Sequence, residues 1–225
     1  MGKVIMSGIV PQLVAPVTGI KLGDIAEGSI VKLNEGGSPV EFYVAKHNYE
    51  NSLNGMGRTL VVRKDCYDSR QWHSSNVNAY ASSAIDSWLN GTYKNLLDAD
   101  IRGVIGTTKI KYTPGNGNTT VGTLERAIFL LSVTELGKPA SYANKEGTPL
   151  EIASSLRIAY MNGSACAQWT RSTRTDRTDY VVFLNTSGGV GGGPCSNTIG
   201  SRPAFTLPSG ALFDEETMLF NGQIA

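Results

Sequence analysis

The chain has 225 residues, of which 40% are hydrophobic and 17% are charged, and its formal net charge is +1 at pH 7. This length suits one large domain, or one domain with terminal extensions, and the hydrophobic fraction is sufficient for a folded core. The scattered basic residues and the near-zero net charge argue against nucleic acid or an anionic membrane as a partner.

Residues 1–24 are predicted to form an extended arm. Their apolar residues are interrupted by Gly8, Pro11, Pro16 and Gly19, which prevent a helix and break a strand. Because an exposed apolar arm is a liability on a monomer, we expect it to dock onto a partner subunit or along its own domain. The prolines also interrupt a signal-type apolar core, so we expect synthesis in the cytoplasm without a secretory signal. No apolar run is long enough for membrane insertion.

The compact domain is predicted over residues 25–208, with 209–225 as a C-terminal extension. Two β-rich runs, 29–33 and 40–45, flank a turn-forming segment and predict a hairpin, and a third strand is predicted over 59–63.

The middle of the chain favours helices. Residues 84–91 place Ile85, Trp88 and Leu89 on one helical face, and Asn90-Gly91 is a helix stop signal. A further short helix is predicted within 98–105.

The remaining elements alternate between strands and one helix. Thr148-Pro149-Leu150-Glu151 is a helix start with a capping box, and this helix is predicted to end at Asn162-Gly163. Short strands dominate, with two short helices and long connections, so the pattern predicts an α+β domain. The strands predicted here are 109–112, 127–131, 179–184 and 205–207.

Residues that could support catalysis or bind a metal are few. The chain has two histidines, His47 and His73, and neither has a metal-binding neighbour at short spacing. Asp98 and Asp100 lack the other ligands of a calcium loop. We therefore predict no enzyme activity, no catalytic residues, no cofactor and no metal site.

The three cysteines, Cys66, Cys166 and Cys195, are widely spaced and odd in number, so we expect three unpaired thiols rather than a disulfide framework. A bridge between Cys166 and Cys195 is the one pairing to test, because both lie at the borders of a polar, glycine-rich stretch.

The glycine tract 188–193 suggests a dinucleotide-binding loop, but no helical pattern follows it, as that motif requires. A flexible hairpin or loop is the better interpretation. Trp88 and Trp169 are expected in the core because buried aromatic rings contribute so much apolar area. Trp72 lies in a polar stretch, which leaves a core position and an exposed sugar-stacking platform both open.

The polar, glycine-rich segment 169–202 is typical of displayed loops, because small and polar side chains do not need a core. Its composition favours a binding module over an enzyme.

Several landmarks, in order along the chain, resemble a domain family of unknown function that is widespread in gut bacteria and their phages. The similarity is to its C-type-lectin-like members, found in tail-fibre and adhesin proteins. It spans about residues 24–208, and the matching stretches are 28–32, 62–67, 70–76, 85–93, 129–132, 169–172 and 201–205.

The resemblance implies a C-type-lectin-like fold with short antiparallel strands, in which segment 169–202 forms much of the ligand-facing surface. Arg171 and Arg202 are then frame residues that brace this segment. We predict that the ligand contacts are Asp176, Arg177, Asp179, Tyr180, Asn185 and Asn197.

The function that follows is a phage virion protein (tail-fibre, tail-tip or capsid-attached) that recognises a host surface glycan or protein. We expect other virion subunits to bind residues 1–24 and the chain to form a homo-oligomer, with no nucleic acid partner and no membrane insertion. One alternative is a head-decoration or spacer subunit without a ligand. Another is a cysteine-dependent oxidase-like enzyme on the same fold, which requires Cys166 and Cys195 close together.

Overall fold

The computed structural model describes residues 18–225. They form a mixed fold that is mostly β-sheet with short helices, which agrees with the predicted α+β class at that level. The strands are β1 (Ile20–Lys21), β2 (Ile30–Glu35), β3 (Ser38–His47), β4 (Arg58–Arg63), β5 (Asp68–Gln71), β6 (Thr108–Tyr112), β7 (Gly122–Arg126), β8 (Ile128–Phe129), β9 (Ala159–Met161), β10 (Ser164–Cys166), β11 (Gln168–Thr173), β12 (Tyr180–Leu184), β13 (Val190–Pro194), β14 (Thr198–Ser201), β15 (Ala204–Pro208), β16 (Ala211–Phe213) and β17 (Phe220–Ile224). The α-helices are α1 (Asn51–Asn54), α2 (Ala84–Trp88), α3 (Ala99–Val104) and α4 (Ala153–Leu156).

The first five-stranded sheet is antiparallel and has the order β2-β3-β4-β15-β8. Its β2–β3 hairpin confirms the predicted hairpin, and the turn uses Gly36 and Gly37 at positive φ, which glycine adopts without steric cost. The central strand β4 is buried over Thr59–Val62. These strands and the residues that pack on them form most of the hydrophobic core.

The second five-stranded sheet has the order β13-β12-β11-β14-β5 and carries the segment that the sequence marked as a display surface. The β11–β14 pair is parallel and the other pairs are antiparallel. Strand β11 is buried at all six positions although most of its residues are polar. Polar groups in such a strand must be hydrogen-bonded, and these bonds organise the interior.

The two ends of the described chain, residues 18–225, meet in a small third sheet with the order β1-β16-β17. Most of the predicted arm, residues 1–17, lies outside the described residues. Residues 18–24 belong to the fold, because Ile20 and Lys21 pair with β16 and Leu22 is fully buried. Likewise, the predicted C-terminal extension contributes β16 and β17, with Phe213 in the core.

The helix predicted from Thr148 to Asn162-Gly163 is wrong over most of its length. Helix α4 has four residues, and the chain then forms the β9–β10 hairpin. Asn162 and Gly163 have φ of 52° and 79°, which is the backbone that a tight two-residue hairpin turn requires. The same dipeptide can end a helix or turn a hairpin, and here it turns a hairpin.

The other predicted helices form, but the stop at Asn90-Gly91 does not end the first one. Ser83 caps α2, and after Trp88 the chain continues through a π turn and a 3₁₀ turn to Leu96. The Asn90 side chain instead donates to the carbonyl oxygen of Ile128 and accepts from the N–H of Ile128, which ties this helix to β8.

None of the helices formed by residues 18–225 has the length and hydropathy needed to span a bilayer.

Candidate functional site

The loop between β11 and β12, residues 174–179, lies at the Tyr180 end of the second sheet and is rich in polar side chains. Asn78, which is fully buried, fixes this loop from beneath. Its side-chain amide donates to the carbonyl oxygens of Arg174, Arg177 and Tyr180 at 3.1, 2.7 and 2.9 Å. Its backbone N–H donates to the carbonyl of Thr178. The loop is therefore held in one conformation by tertiary contacts.

Two arginines and two tyrosines stack on this loop; we call Tyr142, Arg174, Arg177 and Tyr180 the arginine–tyrosine stack. The Arg174 guanidinium carbon lies 4.2 Å from the ring centroid of Tyr142 and 5.8 Å from that of Tyr180. The Arg177 guanidinium carbon lies 3.7 Å from the Tyr180 ring. These distances are in the range of cation–π contacts. The four side chains thus form one continuous, partly exposed surface.

Each arginine of the stack also holds an aspartate. Arg174 pairs with Asp176 at 2.6 Å, and Arg177 pairs with Asp179 at 2.8 Å. Hydrogen bonds from the two guanidinium groups lower the pKa of both carboxyl groups. All four groups are therefore charged at neutral pH, and the surface presents donors and acceptors in alternation.

The glycine tract forms the second half of a hairpin, one of the two predicted alternatives: residues 190–194 are the edge strand β13, which pairs with β12. A Cβ atom at Gly191 would lie 2.6 Å from the Phe183 ring, and one at Gly192 would lie 3.0 Å from a guanidinium nitrogen of Arg174. Successive strand residues face opposite sides. The glycines therefore make room for Phe183 on one face and for Arg174, a member of the stack, on the other.

The structure brings together five of the six predicted contact residues. Asp176, Arg177, Asp179 and Tyr180 lie on or beside the loop, and the exposed Asn197 packs against Gly193 at the same end of β13.

Asn185 is at the other end of β12, about 17 Å away by the rise of a five-residue strand. Its side-chain oxygen accepts from the N–H groups of Ser187 and Gly189 and so closes the β12–β13 turn.

Arg171 lies beneath the surface in a fully buried ion pair with Glu135, at 2.6 Å. Glu135 also accepts hydrogen bonds from the Tyr49 hydroxyl and the N–H of Ser132. Burial and the Glu135 charge raise the pKa of Tyr49, which keeps its hydroxyl protonated as the donor. Arg171 therefore braces the interior, as the sequence resemblance implied.

Arg202 is the second buried arginine, and its partners are neutral. It donates to the carbonyl oxygens of Arg63, Lys64 and Leu156 and to the side-chain oxygen of Gln168. It forms no ion pair with any carboxylate of residues 18–225. Like Arg171, it holds backbone segments together rather than contacting solvent.

A shallow apolar pocket of about 340 Å³ lies on the segment that carries Tyr142. This segment is attached to the loop, because the N–H of Thr175 donates to the carbonyl of Tyr142 at 2.9 Å. The pocket offers an apolar ligand group a place near the stack. Its lining residues are Thr134, Pro139, Ala143, Asn144, Lys145 and Pro149.

The tryptophans offer no free stacking platform. Trp72, which the sequence left open, is fully buried and donates to the carbonyl of Thr170. Trp169 is buried, as predicted, and Trp88 packs on the core beneath Arg70, whose guanidinium carbon is 3.2 Å from the ring centroid.

Groups that could hold a metal ion are dispersed among the described residues. No cluster of three or more potential metal ligands occurs within the described chain. The His47 ring lies 3.0 Å from Thr59 Oγ1 and 3.0 Å from the carbonyl of Ile25, both inside the fold.

The three cysteines are unpaired, as expected. Cys166 lies near the Leu184 end of β12, because Gln168 pairs with Leu184. Cys195 lies at the opposite end of β12, where its backbone N–H donates to the carbonyl oxygen of Asp179. A bridge between them would have to cross the length of that strand.

Sequence comparison identifies one family, described as a domain of unknown function (DUF6273), which matches residues 56–209. No curated protein and no solved structure matches the chain. The matched range includes Asn78, Tyr142 and every residue of the loop.

Proposed function

The chain belongs to the DUF6273 family, and from this premise we propose that it is a recognition protein whose arginine–tyrosine stack binds a ligand. The observation that carries the proposal is the rigid presentation of the stack. Asn78 fixes the loop before any ligand arrives, so binding would cost little conformational entropy. Tyrosine and arginine are also the residue types that dominate binding energy at protein surfaces.

The chemistry of the stack favours a ligand rich in hydroxyl groups. The aspartates accept hydrogen bonds, the arginines donate them, and the partly exposed tyrosine rings offer faces for apolar C–H surfaces. The paired charges nearly cancel, so a highly charged polymer gains little here. A neutral glycan on a host surface fits this pattern best, and a protein surface is the second choice.

The sequence resemblance supports a place for this domain on a phage particle, with a C-type-lectin-like fold. In this proposal the chain is a tail-fibre, tail-tip or capsid-attached protein, and several copies strengthen weak single-site binding through avidity. Docking to other virion subunits is assigned to residues 1–17, because residues 18–24 are used within the fold.

The test is binding by a variant in which Arg177 and Tyr180 are both replaced by alanine. Whole-cell binding and a glycan array should show a loss of at least about tenfold, the effect expected when hot-spot residues are removed. The matched control replaces the exposed pair Lys109 and Glu125, 3.9 Å apart on β6 and β7, and should bind normally. Equal binding by both variants would remove the stack as the site.

A head-decoration or spacer subunit is the second candidate, and one observation favours it. Both arginines of the stack are already paired with aspartates of the same loop, as would also be found on a surface that binds no ligand. This candidate predicts that the double variant is incorporated into particles normally and that the unaltered domain binds neither cells nor glycans.

A further inference from the structure

Cys66 and Cys166 are far apart in the sequence but lie side by side in the fold. The backbone N–H of Cys66 donates to the carbonyl oxygen of Tyr160 at 2.9 Å. Tyr160 lies in β9, and its neighbour Ala159 pairs with Cys166 on strand β10 of the same hairpin. The two thiols lie close enough for a hydrogen bond between them to shift the pKa of both. Cys66 is buried, and Cys166 is partly exposed.

The packing around Gly200 places the Cys66 sulfur independently of that bond. A Cβ atom at Gly200 would lie 2.7 Å from Cys66 Sγ and 2.6 Å from the carbonyl oxygen of Ala167. The sulfur therefore sits against the backbone that directly follows Cys166. Only a glycine leaves room for it.

Arg202 gives this pair an unusual electrostatic environment. Its buried guanidinium group interacts with both thiols, and its hydrogen-bond partners are neutral oxygens. A buried cation whose hydrogen bonds all go to neutral oxygens favours an anion beside it, and a thiolate is an anion that this site can supply. The hydrogen bond from Cys66 and the charge of Arg202 outweigh burial and lower the pKa of Cys166. The shared hydrogen bond and burial raise the pKa of Cys66.

We propose that Cys66 and Cys166 form a reversible disulfide, in which Cys166 is the nucleophile and Cys66 is the resolving thiol. The oxidant is a peroxide. The Cys166 thiolate attacks one oxygen of hydrogen peroxide, the O–O bond breaks, and a sulfenic acid and hydroxide are formed. The Cys66 sulfur then attacks the sulfenic sulfur, the S–O bond breaks, and the leaving oxygen departs as water with the Cys66 proton. A small thiol reductant restores both thiols by exchange.

The experiment treats the full chain with hydrogen peroxide and maps its peptides by mass spectrometry without reduction. The expected product is a Cys66–Cys166 cross-linked peptide that disappears on treatment with dithiothreitol. The bridge would close a long loop, so the midpoint of thermal unfolding should rise by about 5–10 °C after oxidation. Cys195→Ala, which removes the buried thiol at the far end of the sheet, is the control and should form the same cross-link.

Two single variants separate the roles. Cys66→Ser should stop at a sulfenic acid on Cys166 that dimedone traps, and Cys166→Ser should leave Cys66 unmodified at the same peroxide dose. A third measurement is the pH dependence of Cys166 alkylation, whose midpoint should fall below that of a free cysteine, about pH 8.5. No cross-link in the unaltered chain, or an alkylation midpoint at or above that of a free cysteine, would overturn the proposal.

Discussion

Asn78 acts as a hub between segments that are distant in the chain. Its amide group holds three carbonyl oxygens of the loop, and its side-chain oxygen accepts from the N–H of Asn116. A buried amide can hold this many backbone groups only when all of them converge on it, and each bond avoids the cost of an unsatisfied polar group. The conformation of the display loop thus depends on one residue outside it.

Asn78→Ala should destabilise the protein by about 2–3 kcal/mol, because several carbonyls lose their donor at once. Amide hydrogen exchange should also become faster across residues 174–180. Urea unfolding and exchange mass spectrometry measure the two effects. Asn51→Ala, at an exposed position in α1, is the control and should change stability by less than about 0.5 kcal/mol.

Asp86 makes stability depend on pH in the mildly acidic range. Burial raises its pKa to about 6, although it is paired with Arg126 at 2.7 Å. In the unfolded chain its pKa is about 3.9, so the folded state binds this proton more tightly. Protonation of Asp86 therefore stabilises the folded state fully below about pH 4, and this stabilisation is lost as the pH rises through 6.

We expect this contribution to be about 2 kcal/mol after allowing for solvent screening. Asp86→Asn should remove the corresponding fall in unfolding free energy between pH 4 and 6.5. Urea titrations of both proteins across this range measure the difference. Parallel pH profiles for the two proteins would show that Asp86 does not titrate there.

At the scale of elements, β13 shows how glycine can build a strand rather than break one. The strand has no side chains at Gly191, Gly192 and Gly193, so the neighbouring Phe183 and Arg174 cover it from its two faces. An aromatic ring laid across a glycine on the adjacent strand restores the packing that the glycine lacks. The arrangement links the core aromatic Phe183 to the exposed stack through a single strand.

Gly191→Ala should destabilise the protein by about 1–3 kcal/mol, because the new methyl group overlaps the Phe183 ring. In a protein that already carries Phe183→Ala, the change Gly191→Ala should lower the free energy of unfolding by less. A double-mutant cycle measures this difference. Gly103→Ala in α3, where a Cβ atom meets no neighbour, is the control and should be neutral or stabilising. Similar losses at both glycines would contradict this account of the strand.

The elements that were predictable from sequence are those with a local cause. The hairpin at Gly36-Gly37 and the strand β12 follow from alternating apolar residues and turn chemistry. The hairpin at Asn162-Gly163 was missed because the preceding capping box and helical spacing point to a helix. For the glycine tract the sequence left a hairpin and a loop both open, because glycine has low strand preference, and the packing that favours the hairpin comes from its partner Phe183.

At the scale of the whole molecule, the two ends of the described chain stabilise each other. Ile20 pairs with Phe213, and Leu22 is buried in the core. A chain starting at residue 18 should unfold at the same urea concentration as the full chain, because every described contact is kept. A chain starting at residue 25 should lose at least about 3 kcal/mol, since it lacks a strand and a buried leucine. Equal stability of the two truncated chains would contradict this role of residues 18–24.

The candidate site was predictable only where its residues are close together in the sequence. The loop residues Asp176, Arg177 and Tyr180 stand out in one polar segment. Tyr142 and Asn78 do not, because each reaches the loop only through tertiary contacts. Sequence patterns identify what a segment displays, whereas the residues that shape it come from elsewhere in the chain.

The two buried arginines have a consequence for how this fold can change over time. Arg202 donates mainly to carbonyl oxygens of the main chain, which every amino acid possesses. Arg171 donates to two such carbonyls and to the carboxylate of Glu135. The side chains of Lys64, Lys111 and Leu130 are therefore not what these arginines recognise. A lineage that keeps both arginines and Glu135 can replace many of its other residues and retain the same framework. Relatives should then be easier to identify by these two anchors than by overall identity.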